Sequence, residues 1–362
     1  MQRALASRTE ADPYIDFLRL LSIGGVVVGH WFIAVVWWDG QRIGVHNSVG
    51  PTAGLWLLTW LVQLLPLFFF AGGYANATVY DSQLFRDWVR MRAIPLLVPL
   101  VLFMAVLSAA QLVLHFLNVG ADGLIRGSTL PFSPLWPMFA YVIVTVSTPM
   151  MLTLHRRARP WVLVGLLLGI ALVDLLRFWP NVPLLGWLNL ILVWTFAHQL
   201  GFFYVEGSLD VRRARWMAVG GFLGLVVLTN MNVYPRNMIG TDLQVSSNLN
   251  PPTLCIAALS IWLVGLAVVV RQPVVGWLKR KRIWGAVPGA NTRLVTIFLW
   301  HLGAYVLAIL ALYPMGLGRA SDGSLLWWLQ RPLWLVVPGI FLLLLVTWFG
   351  RFERPSPPLG RG

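Results

Sequence analysis

Long apolar runs, separated by short polar segments, extend along almost the whole chain. A helix needs about 20 apolar residues to cross the hydrocarbon core of a bilayer. Ten runs approach or exceed that length, and the seventh is the weakest because it is short and rich in glycine. The pattern predicts an all-α fold, a polytopic membrane bundle of about ten transmembrane helices. The ten runs are Leu18–Trp38, Ala53–Tyr74, Ala93–Leu117, Pro134–Leu154, Trp161–Phe178, Pro183–Val205, Trp216–Asn230, Pro252–Val270, Leu294–Tyr313 and Leu325–Phe349.

The polar segments predict one integral-membrane unit over residues 1–362, with polar tails at about 1–17 and 350–362. Twenty Lys and Arg residues fall on one side of the predicted bundle, and five fall on the other. Because Lys and Arg accumulate in cytoplasmic loops, the richer side is expected to be cytoplasmic. Both termini lie on that side, which requires an even number of spans and agrees with ten.

The amino-acid composition agrees with a membrane protein. Hydrophobic residues make up 58% of the chain and charged residues 11%, whereas a soluble domain has about 25% charged residues. The net charge of +14 is spread over short loops, which indicates membrane topology rather than a nucleic-acid-binding face. The sequence therefore predicts a multi-pass protein of the cell membrane that contacts lipid and binds no nucleic acid.

The first apolar run carries Arg19 and His30, eleven positions apart. At about 100° per residue the two side chains share one helical face and lie about 16 Å apart along the axis. Arg19 is expected at the cytoplasmic interface and His30 near the middle of the membrane, where ionisable residues are costly and mark functional sites. The small residues Gly24, Gly25 and Gly29 allow another helix or a thin substrate to approach this helix.

Of six histidines, His30 is the strongest candidate for chemistry because of its depth and its alignment with Arg19. Near neutral pH an imidazole can take a proton from a hydroxyl group, so His30 is a candidate general base. No metal site is predicted, since the chain has one cysteine, no HExxH motif and no histidine pair four residues apart.

A cluster of arginines, Arg86, Arg90 and Arg92, precedes the third run on the cytoplasmic side. Arg86 and Arg90 are four residues apart, so they share a helical face. Guanidinium groups bind phosphate oxygens through paired hydrogen bonds, which makes the cluster a candidate site for an anionic donor. Basic residues at this interface also fix topology and contact anionic lipid, and that alternative stays open.

Several motifs occur in a characteristic order along the chain. The Arg19 and His30 pair is followed by Pro66-Leu-Phe-Phe-Phe-Ala-Gly-Gly73 and then by the arginine cluster. Further on come Asn189-Leu-Ile-Leu-Val-Trp-Thr-Phe-Ala-His198, Asn248-Leu-Asn-Pro-Pro-Thr253 and Phe298-Leu-Trp-His301. In this order the motifs resemble those of the acyltransferase 3 family of integral-membrane acyltransferases, in a bacterial branch.

The resemblance implies transfer of an acyl group, commonly acetyl, from cytoplasmic acyl-CoA to a hydroxyl group. The acceptor would be a carbohydrate or lipid-linked molecule of the cell envelope, and no permanently bound cofactor is expected. His30 matches the catalytic histidine and Arg19 its partner, while Arg86, Arg90 and Arg92 correspond to donor-binding arginines. His301 and Trp136 are expected to line the substrate pocket.

Two other classes of function stay open at this point. A transporter or a lipid or glycan flippase would use His30 and Arg19 for the passage of a substrate or protons. A structural partner in an envelope complex would need neither side chain for chemistry.

Overall fold

The computed structural model describes residues 12–38, 43–49, 54–80, 84–116, 130–240, 248–281, 285, 287–321 and 323–353. Most of these residues are helical. The helices are α1 Pro13–Ile33, α2 Trp56–Val62, α3 Leu65–Val79, α4 Phe85–Arg92, α5 Ile94–Phe116, α6 Leu135–Val146, α7 Thr148–Ala158, α8 Pro160–Phe178, α9 Asn189–Val205, α10 Val211–Asn230, α11 Leu254–Val269, α12 Arg271–Arg280, α13 Val287–Asn291, α14 Leu294–Leu312 and α15 Leu325–Phe349. Two short strands, β1 Ala34–Trp38 and β2 Ile43–Asn47, form an antiparallel hairpin.

The described helices form a multi-pass membrane bundle, as predicted. Seven helical stretches are long and apolar enough to span a bilayer, and two bent helix pairs bring the number to nine. The predicted seventh run forms α10, which is helical over its whole length but lies outside these nine. The helical membrane bundle is therefore confirmed, while the number of ten spans stays a prediction.

The first apolar run changes from helix to strand, which its sequence pattern did not indicate. Helix α1 ends at Ile33, and the run continues as β1, whose Ala34 pairs with Asn47 of β2. The buried guanidinium of Arg331 holds the base of this hairpin, because its Nη1 donates to the Ala34 carbonyl at 2.7 Å. The hairpin therefore lies at the C-terminal end of α1, where the sequence predicted that the span continues to Trp38.

The second span is broken in the middle. Helix α2 ends at Val62 and α3 begins at Leu65, so Gln63 and Leu64 lie between two half-helices. Pro66 explains part of the break, because a proline lacks the N–H of a continuous helix and restricts the residue before it. Non-helical backbone at membrane depth occurs where it lines a cavity or is buried in protein.

Helix α3 is largely buried, and it packs closely on α9. The rings of Phe69 and Trp194 stack at a centroid distance of 4.5 Å. Near the other end of this contact, the side chains of Asn76 and His198 are hydrogen-bonded at 3.0 Å. Apolar stacking and a buried polar pair thus fix the position of α3 along α9.

The segment after α15 places the carboxylate of Glu353 at the start of α14. Glu353 accepts hydrogen bonds from the backbone N–H groups of Val295 at 3.0 Å and Thr296 at 2.8 Å. Burial raises the pKa of Glu353, although these hydrogen bonds favour its charged form. A negative charge at a helix N-terminus is favourable, so this contact fixes the N-terminal end of the helix that carries His301.

Candidate functional site

A cavity of about 290 Å³ lies between the end of α1, the hairpin, the break in the second span, the start of α6 and helix α14. It is on the side of the bundle that carries the hairpin, opposite the arginine-rich helix ends. Its lining combines apolar side chains with a small number of polar ones, a composition typical of ligand sites. The polar and aromatic residues of the lining are His30, His46, Asn47, Gln63, Ser133, Trp136, Phe298, His301 and Tyr305.

The imidazole rings of His30 and His301 meet in this cavity. The Nδ1 atom of His30 lies 2.9 Å from the Nε2 atom of His301. The ring centroids are 5.2 Å apart and the ring planes differ by 6°. The centroid distance exceeds the N···N distance by about the two ring radii, so both nitrogens lie on the line between the centroids. The rings are therefore coplanar and end to end, which gives a linear hydrogen bond rather than a face-to-face stack.

The protons on the two rings follow from their partners. His301 Nδ1 faces the carbonyl oxygen of Phe298, and a carbonyl oxygen can only accept, so His301 carries its proton on Nδ1. The Nε2 atom of neutral His301 must then accept, and His30 donates through Nδ1. Neutral His30 is left with an unprotonated Nε2, which can take a proton from a group in the cavity.

Helices α1 and α14 are joined by a second hydrogen bond beside the histidine pair. The indole Nε1 of Trp31 donates to the carbonyl oxygen of His301 at 3.1 Å. Trp31 and His301 are both buried, whereas His30 is only partly covered because one side of its ring faces the cavity. The backbone of His301 is thus fixed relative to α1, which keeps the two rings in register.

The structure places Arg19 on the same helix as His30 but away from the cavity. Its guanidinium lies 6.0 Å from the ring centroid of Phe68, and its buried Nε has no hydrogen-bond partner among the described residues. A second cavity, of about 10 Å³, is lined by Ile23, Phe68 and Phe298 among others. Phe298 also lines the large cavity, and Phe68 also lies beside the Arg19 guanidinium, so the small apolar cavity is between Arg19 and the large cavity.

The structure separates the three arginines that the sequence grouped together. Arg86 and Arg90 are exposed on α4. Arg92 is turned inward, where its Nε donates to Asn76 at 3.1 Å and its Nη2 donates to the Ala75 carbonyl at 2.9 Å. Arg92 is thus bound to the same asparagine that contacts His198. Arg86 lies 3.8 Å from the carboxylate of Asp87 in an exposed ion pair.

The glycines of α1 lie against the broken span. A Cβ atom on Gly29 would lie 3.3 Å from Val62, and one on Gly25 would lie 2.6 Å from Leu64. Gly24, by contrast, has no atom within 4 Å of its Cβ position. Two of the three glycines therefore allow the close approach that the sequence indicated, and what approaches is the break in the second span.

Sequence reasoning named His30, His301 and Trp136, and the structure brings all three to one cavity. It did not name Gln63, whose side chain is buried in the wall of the same cavity. The signal was an isolated amide in an apolar run, three residues before Pro66. His46 and Asn47 were also missed, because they reach the cavity only through the unpredicted hairpin.

The chain was compared with known protein families, with curated proteins and with solved structures. A family model described as an acyltransferase domain matches residues 12–352. That match includes every helix from α1 to α15 and both histidines of the pair. No curated protein and no solved structure gave a significant match. The match over nearly the whole chain shows that this multi-pass membrane protein belongs to the acyltransferase 3 family and is an acyltransferase.

Proposed function

We propose that the protein transfers an acyl group, in the simplest case acetyl, from cytoplasmic acyl-CoA to a hydroxyl group. The acceptor is a carbohydrate or lipid-linked molecule of the envelope, reached at the outer side of the cell membrane. The observation that carries this proposal is the coplanar pair of His30 and His301 on the wall of an accessible cavity. Because His30 Nδ1 donates to His301, His30 Nε2 is free to act as a base beside the space for a substrate.

In the proposed reaction, His30 Nε2 takes the proton of the acceptor hydroxyl as its oxygen attacks the thioester carbonyl carbon. The carbon–oxygen bond forms, the carbonyl electrons move to the carbonyl oxygen, and a tetrahedral intermediate results. When the carbon–sulfur bond breaks, His30 returns the proton to the leaving thiolate and free CoA is released. His301 holds the Nδ1 proton of His30 throughout, so the ring keeps the orientation that the reaction needs.

The donor is proposed to enter from the cytoplasmic side. Arg86 and Arg90 are exposed there and can bind phosphate oxygens. Arg19 offers an unpaired guanidinium nitrogen beside Phe68. Beyond Arg19, the small cavity lined by Ile23, Phe68 and Phe298 is proposed to widen into an apolar passage for the thin acyl-pantetheine arm. Arg92 is proposed to support the fold, since its donors are occupied.

The acceptor is proposed to enter from the opposite side. There the cavity wall carries the amide of Asn47, the hydroxyl of Ser133 and the indole of Trp136. Amides and hydroxyls bind sugar hydroxyl groups through hydrogen bonds, and an aromatic ring supplies an apolar face. Orientation of the bundle by the positive-inside rule places this side away from the cytoplasm.

The test uses purified protein in lipid nanodiscs with acetyl-CoA labelled in the acetyl group. An envelope extract from cells that lack the gene supplies the acceptor. We expect free CoA to appear in proportion to labelled acetyl esters, which mass spectrometry detects as an added acetyl mass. Binding of acetyl-CoA without any CoA release would contradict the proposal and favour a transporter or flippase.

A second experiment separates transfer from simple thioester hydrolysis. Membranes of the cells that lack the gene are compared with those of the same cells carrying the gene. Acyl groups that are found in the envelope only when the cells carry the gene would support transfer. CoA release without a labelled envelope product would contradict it, because water would then be the acceptor.

Replacement of His301 with phenylalanine is expected to lower the rate of acyl transfer roughly 10- to 100-fold. The variant keeps a planar ring of similar size but leaves His30 Nδ1 without an acceptor, so the tautomer with a protonated Nε2 becomes accessible. The measurement is CoA release by the purified variant at saturating acetyl-CoA.

The control for this prediction is His301→Gln. A glutamine oxygen can accept the hydrogen bond of His30 Nδ1, so this variant should retain more activity than His301→Phe. Equal losses of activity in both variants, at equal folding yield, would contradict a positioning role for His301. The role predicted from the sequence, which is to line the substrate pocket, would then remain.

A further inference from the structure

Gln63 is a buried amide at the break in the second span. Its side chain is 3% exposed, and its Nε2 has no hydrogen-bond partner among the described residues. Buried polar groups are normally hydrogen-bonded, and one left without a partner is costly. Because Gln63 lines the 290 Å³ cavity, the missing partner is expected to be an oxygen atom of a bound molecule.

The break also brings a helix N-terminus to the cavity. Helix α3 has 15 residues and begins at Leu65, which lines the same cavity. Pro66 has no N–H, and the N–H of Leu65 has no acceptor among the described residues. The N-terminus of a helix carries a partial positive charge that favours a negative ligand. Half-helices that point their N-termini at anionic groups recur in membrane proteins.

The break in the second span can lie close to α1 because the glycines before His30 have no side chain in the way. Gly29 and Gly25 are in contact with Val62 and Leu64, the residues on either side of Gln63. His30 follows Gly29 directly, so the base and the unpaired amide face one cavity from two adjoining backbones. Both side chains line the cavity that would hold the reacting carbonyl group.

We propose that the amide of Gln63 and the N-terminus of α3 form the oxyanion site of the reaction. The proposal rests on the proposed acyl transfer. As the acceptor oxygen bonds to the thioester carbon, the carbonyl electrons move to oxygen, and Gln63 Nε2–H donates to that oxygen. Collapse of the intermediate restores the carbonyl and expels the thiolate, which takes its proton from His30. Only the carbonyl oxygen becomes negative, so it benefits from the helix N-terminus more than a neutral acceptor hydroxyl does.

The test uses acetyl-CoA with ¹³C at the thioester carbonyl, bound to the full-length protein in nanodiscs without acceptor. Infrared difference spectra give the carbonyl stretching band of the bound donor. We expect the band to lie below that of free acetyl-CoA in the wild type and to return towards it in Gln63→Met. Methionine keeps the length and volume of the side chain but has no N–H to donate.

The kinetic part of the test uses CoA release with the envelope extract. Loss of one oxyanion donor lowers kcat by about 100-fold or more, so Gln63→Met should show that loss. Its KM for acetyl-CoA should stay within about threefold, because the hydrogen bond to the neutral carbonyl oxygen is much weaker than the one to the oxyanion. Gln63→Glu should be slower still, because a carboxylate repels the oxyanion, although a negative charge at a helix N-terminus favours folding.

The outcomes separate this proposal from the proposed function. An unchanged carbonyl band and kcat in Gln63→Met would overturn the oxyanion site while leaving acyl transfer intact. The oxyanion site would also be overturned if Gln63→Met needed a higher concentration of envelope extract for half-maximal rate at an unchanged kcat, since Gln63 would then bind the acceptor. If the wild type neither binds acetyl-CoA nor releases CoA, the proposed function itself fails.

Discussion

Replacement of His30 with alanine is expected to lower the rate of acyl transfer by about 10³-fold, since a positioned general base contributes 10²- to 10⁴-fold. His30 is the ring whose free nitrogen faces the cavity, and its other nitrogen is held by His301 at 2.9 Å. Alanine removes both the base that takes the hydroxyl proton and the acid that returns this proton to the thiolate. The measurement is CoA release by purified protein, together with the mass of acylated products in envelope extracts.

His46 provides a matched comparison for this prediction. It lines the same cavity from the hairpin, on β2, and among the described residues no hydrogen bond is seen between its side chain and His301. His46→Ala should therefore lose far less activity than His30→Ala, in line with a contact to substrate rather than a proton transfer. If His30→Ala keeps more than about a tenth of the wild-type rate, a general-base role for His30 is wrong.

A folding control accompanies the activity measurement. Both variants are compared with the wild type by their elution as single species in detergent and by their binding of acetyl-CoA. Since the donor is proposed to bind along Arg19 and the apolar passage, His30→Ala should still bind it. Loss of donor binding together with loss of turnover would indicate damage to the passage instead of loss of the base.

The broad architecture could be predicted because the apolar runs are long and uniform. Nine of the predicted runs coincide with single helices or bent pairs that can span a membrane. What the pattern could not indicate was irregular backbone within an apolar run. The run Leu18–Trp38 contains both a helix and a strand, and the strand side chains are as apolar as those of the helix. The difference depends on pairing with β2 and on Arg331, which are distant in sequence.

Only half of the candidate site could be predicted from the sequence. Arg19 and His30 belong to one helix, so their spacing alone places them on one face. The contact of His30 with His301 joins positions 271 residues apart, and no local pattern encodes it. Gln63 was missed for a different reason. An amide in an apolar run reads as an isolated polar residue until the break in its helix and its lack of a partner are known.

Among the sequence-based predictions, the structure changed the interpretation of the arginine cluster most. Helical spacing put Arg86 and Arg90 on one face, and both are exposed, as a donor site requires. Arg92 was added because it is close in sequence, but its hydrogen bonds to Asn76 and Ala75 turn it into the bundle. Closeness in sequence near a helix end is thus a weak guide to a shared binding site, since residues two positions apart on a helix point to different sides.

Replacement of Gly73 with alanine is expected to prevent stable folding, with a loss of about 3 kcal/mol or more, at the upper end of the cost of overpacking. A Cβ atom at Gly73 would lie 1.9 Å from the His198 carbonyl oxygen. On the facing helix, a Cβ atom at Gly201 would lie 2.4 Å from the Phe70 carbonyl oxygen. Backbone meets backbone at both points, so no side-chain rotation can relieve the clash.

The added methyl group would push α3 away from α9, which breaks contacts at both ends. The Asn76–His198 hydrogen bond and the Phe69–Trp194 stack both depend on this spacing. Helix association within a membrane relies on such close packing, because lipid supplies no hydrophobic drive for it. The start of α3 at the cavity would move as well, so acyl transfer should be lost together with stability.

The measurement is the melting temperature and the fraction of single-species protein in detergent, with Gly165→Ala as the control. Gly165 lies in α8 and has no atom within 4 Å of its Cβ position. Alanine there should be neutral or should stabilise the helix by up to about 1 kcal/mol. A melting temperature for Gly73→Ala equal to that of Gly165→Ala would mean that α3 and α9 have room to separate. In that case the position of the α3 N-terminus would not be fixed by this contact, and the oxyanion site would need another support.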